Sequence, residues 1–318
     1  MSSRRRLGKK VIKSFLPILL VLVAALAASL TFIVHGITRP PKQAYLVTPQ
    51  AFSQISGPVL KVTDESWSNR DGTLARGWLL KGSEGAPAVI LLHRYGGDRS
   101  WLFNLGVKIN ETTNATILWP DLRGHGINPP VKWSSFGTSE SYDLIDALGF
   151  LRTLKSDSKR KLIGDRAGFY GVELGAYTAL KAAPSDGQVK VVVLDSVPHS
   201  AIELVQAAVA RDIGVDNRLL RYLSSSATRI YFLGAFDNAD SCELAASLRD
   251  QHVLLLSGAE AGHLKETTAS LERCFPNKAN VEIRTDLPLT GMALPSATGE
   301  QGEAYDRIVI DFFDKYLR

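Results

Sequence analysis

Residues 168–183 read GFYGVELGAYTALKAA. Gly168–Val172 has the short apolar pattern of a buried strand, and from Leu174 to Ala183 the pattern is helical. The change of period falls inside Gly171-Val172-Glu173-Leu174-Gly175, which places residue 173 on a strand-to-helix turn framed by two glycines.

Outward from this turn, similar apolar runs recur. Ala88–His93 and Ala115–Pro120 precede it, and Val189–Asp195, His252–Ser257 and Asn280–Thr285 follow. Runs of this kind suit strands covered on both faces, as in a parallel sheet. Pro58–Ser66 and Leu74–Leu80 read as two further strands around a turn at Asn69-Arg70-Asp71-Gly72. Helical patterns lie between. Ser139–Leu154 carries Tyr142, Ile145, Leu148, Leu151 and Leu154 as one apolar stripe, and Ala304–Leu317 closes the chain. Glu300–Glu303 suits the start of that helix and needs no functional role. Alternating strands and helices predict an α/β layered sheet. Residues 198–251 exceed a simple crossover and are helical in pattern, which predicts a cap over the C-terminal strand ends.

Four signatures occur in order along these elements. Leu92-His93-Arg94-Tyr95-Gly96-Gly97 ends one strand and Asp121-Leu122-Arg123-Gly124-His125-Gly126 follows the next. The Gly171–Gly175 turn comes third and Asp195-Ser196-Val197-Pro198 fourth. Together they resemble the α/β-hydrolases of the serine-aminopeptidase or lipase-like kind, over about Pro58 to Arg318. The resemblance implies a mostly parallel sheet with helices on both faces and a helical cap. It also implies a nucleophile on the sharp turn, an acid and a histidine later in the chain, and an oxyanion hole of backbone N–H groups.

Each of those positions departs from the pattern. Glu173 stands where the serine belongs, between intact glycines. Glu260 is the acid available after the His252–Ser257 strand. Met292 stands where a Gly-His step would supply the base. Arg94 replaces the glycine of the usual His-Gly oxyanion loop, so a cation and an anion occupy neighbouring positions, and an ion pair between Arg94 and Glu173 is expected. A second register takes Thr228–Gly234 as the penultimate strand, Asp237 as acid and His263 as base; it leaves a long remainder after His263, and element order favours the first. Glu173 as a nucleophile toward alkyl carbon is the catalytic option, but its ester intermediate needs an activated water that Met292 cannot supply. His263 is the one histidine placed to rescue base chemistry, against a plain surface-loop role. His93 and His125 are expected to tie loops together, and Ser196, with no glycine turn, is a poor nucleophile. Arg94, Tyr95 and His199 are the candidate binding residues. Trp101, Phe103 and Trp133 line a pocket or pack the core.

Before the sheet, Phe15–Val34 is free of charge and long enough to cross a hydrocarbon core. Residues 15–37 are expected to be a transmembrane anchor, with a cleaved signal peptide as the competing reading. Residues 1–14 are basic, which puts the N-terminus in the cytoplasm and the domain beyond residue 58 outside it, in a periplasmic or extracellular setting. Residues 38–57 read as a stiff linker. The net charge of +5 rests on six cations among the first 13 residues; the other 31 Lys and Arg face 32 Asp and Glu, which excludes a body-wide nucleic-acid footprint. Cys242 and Cys274 fit no metal-binding spacing, so no metal or other cofactor is expected; a disulfide and two buried thiols both remain open. Asn110 and Asn114 sit in glycosylation sequons, which matter only in a glycosylating host.

Three readings of function follow. The first is a membrane-tethered hydrolase-like domain without Ser-His-Asp catalysis, which binds a small molecule or a protein through an altered site. The second is an active hydrolase of esters, thioesters or peptides using Glu173, His263 and Glu260. The third is a structural subunit of a membrane complex.

Overall fold

The computed structural model describes residues 2–56, 61–215, 217–294 and 299–317. In chain order the elements are α1 (Ser2–Ile37), α2 (Pro49–Ser56), β1 (Val62–Ser68), β2 (Leu74–Leu80), β3 (Ala86–Leu92), α3 (Phe103–Thr113), β4 (Thr116–Pro120), α4 (Thr138–Thr153), β5 (Ile163–Val172) and α5 (Leu174–Ala182). They continue with β6 (Val189–Asp195), α6 (Ala201–Ile213), α7 (Arg218–Tyr231), α8 (Ser241–Ala245), β7 (His252–Gly258), α9 (Leu264–Leu271), β8 (Val281–Leu287) and α10 (Gly299–Leu317). The chain divides into two compact units, residues 2–37 with 205–236, and residues 38–204 with the chain from 237 onward.

The larger unit holds an eight-stranded sheet in the order β1-β2-β4-β3-β5-β6-β7-β8. β1–β2 and β2–β4 pair antiparallel, and every later pair is parallel. The parallel strands are the apolar runs of the sequence, and β3, β4, β6 and β7 are buried along nearly their whole length. That burial on both faces is why their residues do not alternate with polar ones.

Three sequence expectations change, and the favoured register holds. The strand expected from Pro58 is seen from Val62, and Pro58 lies outside the described residues. In α4 the buried stripe is Ser141, Leu144, Ala147, Leu148 and Leu151, and Tyr142 is exposed. A strict spacing of three slips about 60° around a helix at every step, so a Tyr142–Leu154 stripe cannot stay on one face. The segment 38–57 is more than a linker: Thr38 and Pro40 are buried, the Thr38 carbonyl accepts the Ser134 N–H at 2.7 Å, and Phe52 of α2 packs edge-on against Phe103. Thr228–Tyr231, the rival penultimate strand, is helical, and β7 pairs directly with β6, as the favoured register requires.

α3 is not apparent from periodicity. Gly106 interrupts its pattern because a Cβ there would lie 2.4 Å from the Trp119 ring. The helix needs that glycine to approach the sheet. In the smaller unit, the last turns of α1 are buried at Val34 and Ile37, and α7 packs on α1, with His35 Nδ1 3.3 Å from the Tyr231 hydroxyl. The middle of the segment 198–251 therefore belongs with the N-terminal helix, and its two ends with the sheet. Phe15–Ile37 has a mean hydropathy of 2.6 over its most apolar window and is long enough to cross a membrane, as an anchor or a signal sequence of that composition would be.

Candidate active site

The turn after β5 is as tight as its glycines suggest. A Cβ on Gly171 would sit 2.2 Å from the Gly175 carbonyl oxygen, and one on Gly175 would sit 2.3 Å from the Leu92 carbonyl oxygen. Both contacts are with backbone, which cannot move aside cheaply, so glycine is required at each. Between them Glu173 has φ 51° and ψ −106°, a strained backbone for a residue with a side chain. Its N–H donates to the Asp195 carbonyl at 2.9 Å, and its own carbonyl accepts from the Tyr177 N–H at 2.9 Å. Backbone bonds on both sides hold the half-buried side chain at the end of the sheet.

The loop after β3 faces that side chain. The Tyr95 N–H donates to Glu173 Oε2 at 2.9 Å. Loop shape is fixed by His93, whose Nδ1 lies 2.8 Å from the Arg94 carbonyl and whose Nε2 lies 3.0 Å from the Leu122 nitrogen. These partners set the tautomer: Nδ1–H donates and Nε2 accepts. Burial pushes His93 down to about 4 and His125 down to about 3, so both rings are neutral braces. His93 ties the two loops together as expected, whereas His125 Nδ1 lies 2.8 Å from the Arg123 carbonyl of its own loop. The Arg94 guanidinium lies 4.4 Å over the Trp101 ring. Tyr95 is 4% exposed and stacked on Phe136; its backbone, not its ring, enters the site. Phe103 is core, and Trp133 lies beneath Arg123.

The remaining candidates are placed elsewhere on the unit. Glu260 is exposed on the turn after β7. His263 is exposed too, with Nε2 2.8 Å from Glu203 Oε1. His199 lies 2.9 Å from Asp240 Oδ2 and lines a depression beside the Cys242–Cys274 disulfide. Met292 packs against the apolar core, so the base position carries no titratable group. Among the described residues no group of three or more His, Cys, Asp or Glu is arranged to hold a metal ion.

One constellation escapes sequence reading. Asp195, at the end of β6, is fully buried. Its Oδ1 accepts the Ser196 hydroxyl at 2.6 Å, and its Oδ2 accepts the Gly291 N–H at 2.7 Å and the Tyr305 hydroxyl. Tyr305 in turn lies 2.7 Å from the Tyr170 hydroxyl. Burial pushes the Asp195 carboxyl up to about 6, against the lowering effect of these donors. The network ties the loop that carries Met292 to the centre of the sheet. Its one trace in the sequence is an acid closing the otherwise apolar run from Val191.

The mostly parallel sheet with its helices has counterparts among solved structures. An esterase of Pyrococcus furiosus matches with a TM-score of 0.64 at 17% identity, over 88% of this chain and 98% of its own. A dienelactone hydrolase of Anabaena variabilis matches at 0.53 and 13%, over 81% and 99%. The chain has an α/β-hydrolase fold. An esterase of Pyrobaculum calidifontis, at 0.55 and 12% over 93% and 92%, extends the same likeness. No protein-family profile matches the sequence, and no curated protein matches it. In enzymes of this fold the nucleophile sits on a strand-to-helix turn of this kind, and the oxyanion hole takes a backbone N–H from the loop that faces it.

Proposed function

We propose that this chain is a membrane-anchored α/β-hydrolase-like protein that binds a small molecule or a protein partner and lacks Ser-His-Asp catalysis. The observation that carries the reading is the 2.9 Å bond from the Tyr95 N–H to Glu173. An oxyanion donor accelerates acyl transfer because it is aimed at charge that develops only in the transition state. Here the Glu173 side chain engages that donor and competes with any substrate carbonyl. Met292 supplies no base, and His263 is engaged by Glu203. Because nucleophile and base act as a unit, losing one costs nearly as much as losing both, and here neither is present in its usual form. The ion pair between Arg94 and Glu173 belongs to the same reading and would fill the acyl position further.

The anchor is the Phe15–Ile37 helix, with the basic N-terminus in the cytoplasm and the sheet unit outside. The Cys242–Cys274 disulfide is in keeping with an oxidising compartment. The full chain, reconstituted in vesicles, is to be assayed against short and long acyl esters, amides and alkyl halides beside E173Q. No turnover is expected from either. Turnover by the native chain that disappears in E173Q makes Glu173 a catalytic carboxylate and overturns the reading. Recovery of a shortened chain in the soluble fraction, rather than an intact one in alkali-washed membranes, overturns the anchor.

A further inference from the structure

α7 carries two faces. Ser224 and Thr228 are buried within the smaller unit. On the opposite side Leu219, Tyr222, Ile230 and Leu233 are exposed, the last two at 72% and 91%. Leu219, Tyr222 and Ile230 fall on one face of the helix, at spacings of three and eight, and Leu233 follows in the turn after it. A soluble helix of this amphipathicity turns its apolar stripe inward; α7 turns one outward. Arg218 and Arg229 border the stripe, and residues 218–236 contain three arginines and no acid.

The position of α7 along α1 says what covers this stripe. α1 is exposed from Phe15 to Leu26 and again at Phe32, and its buried positions begin only in its last two turns, at Val34 and Ile37. There α7 packs on it, and His35 meets Tyr231. Phe15–Ile37 rises about 33 Å as a helix, close to the thickness of a hydrocarbon core. The last two turns therefore reach the bilayer boundary, and α7 lies at that level.

We infer that α7 and the turn after it lie in the membrane interface, with Leu219, Tyr222, Ile230 and Leu233 among the upper acyl chains and the arginines at anionic headgroups. This rests on the reading of α1 as a membrane span. An interfacial helix needs an apolar stripe, a cationic border and low overall hydrophobicity, and α7 has all three. The unit built from α1 and α7 is then a two-helix foot, one helix through the bilayer and one upon it.

The test uses the full chain in vesicles of phosphatidylcholine and phosphatidylglycerol. Both native cysteines are bonded to each other, so one added cysteine takes a nitrobenzoxadiazole label without competition. L233C reports α7, L22C reports the middle of the span, and D157C is an exposed site on the sheet unit. Blue-shifted emission at 233, quenched by spin labels near the headgroup, is expected, together with quenching at 22 by deep spin labels and none at 157. A label at 233 that behaves like the one at 157, while 22 is quenched, overturns the inference and leaves the anchor standing. A label at 22 that also behaves like 157 overturns the anchor and the inference together. In vesicles of phosphatidylcholine alone, quenching at 233 is expected to fall while that at 22 holds; an unchanged signal at 233 removes the anionic headgroups from the proposal.

Discussion

Two carboxylates stand at the ends of neighbouring strands, and they have opposite fates. Glu173 follows β5 and Asp195 ends β6, and the Glu173 N–H bonds the Asp195 carbonyl. Asp195 is fully buried, accepts three donors and sits on ordinary strand backbone; the positive φ falls one residue later, at Ser196. Glu173 is half-buried, on a strained backbone, and its carboxylate meets one donor of the facing loop. A carboxylate with its acceptors filled acts as a rivet. A carboxylate held in a strained conformation at the mouth of the sheet is a feature that stability alone does not favour. The difference separates structure from site on geometry alone.

The largest effect that would test this contrast is expected from D195A. It leaves the Ser196 hydroxyl, the Gly291 N–H and the Tyr305 hydroxyl without their acceptor, and should lower unfolding free energy by about 4 kcal/mol, read from urea midpoints. A loss below about 1 kcal/mol would remove the rivet from the account.

The pH dependence of the same carboxyl comes next. With its folded value raised to about 6, native Asp195 holds a proton that the unfolded chain has released between about pH 4 and 6. The native chain therefore loses stability from this group as pH rises through that window. D195N has no such group, and the other titrating residues are common to both chains. The advantage of the native chain over D195N should therefore shrink from pH 4 to pH 7, by up to about 3 kcal/mol. An advantage that grows with pH would mean that the network favours the anion.

Y305F is a smaller cut. It removes one donor to Asp195 and the bond to Tyr170, and should cost about 1–2 kcal/mol with the fold intact by circular dichroism. The smallest effect has the reverse sign. E173G relieves the backbone at φ 51° and should raise stability by about 1 kcal/mol. Destabilisation by E173G would place Glu173 with Asp195 among the structural carboxylates and dissolve the comparison.

How much of this was legible in the sequence follows from the range over which each feature is built. The turn at Glu173 is encoded within five residues, because both glycines are demanded by contacts that any side chain would break. The parallel strands are equally local. The Asp195 network joins residues 96 and 110 positions apart, and nothing at Gly291 or Tyr305 marks it in advance. The site contact falls between these cases. The resemblance brought the two loops together through Arg94 and Glu173, but the Tyr95 N–H that bonds Glu173 carries no mark in the sequence, because every residue except proline has such a donor. α3 was hidden for a packing reason: its glycine serves Trp119, not the helix.

The disulfide has a mechanical meaning for a chain pulled from its two ends. Cys242 and Cys274 are 32 positions apart, and β7 and α9 lie within the loop they close. Tension applied between α1 and α10 passes from one sulfur to the other and bypasses that loop. While the bridge is intact the loop adds no extension, and cutting it releases about 110 Å of chain. A force-extension trace should lengthen by that step on reduction, and β7 is the strand that the load reaches only afterwards.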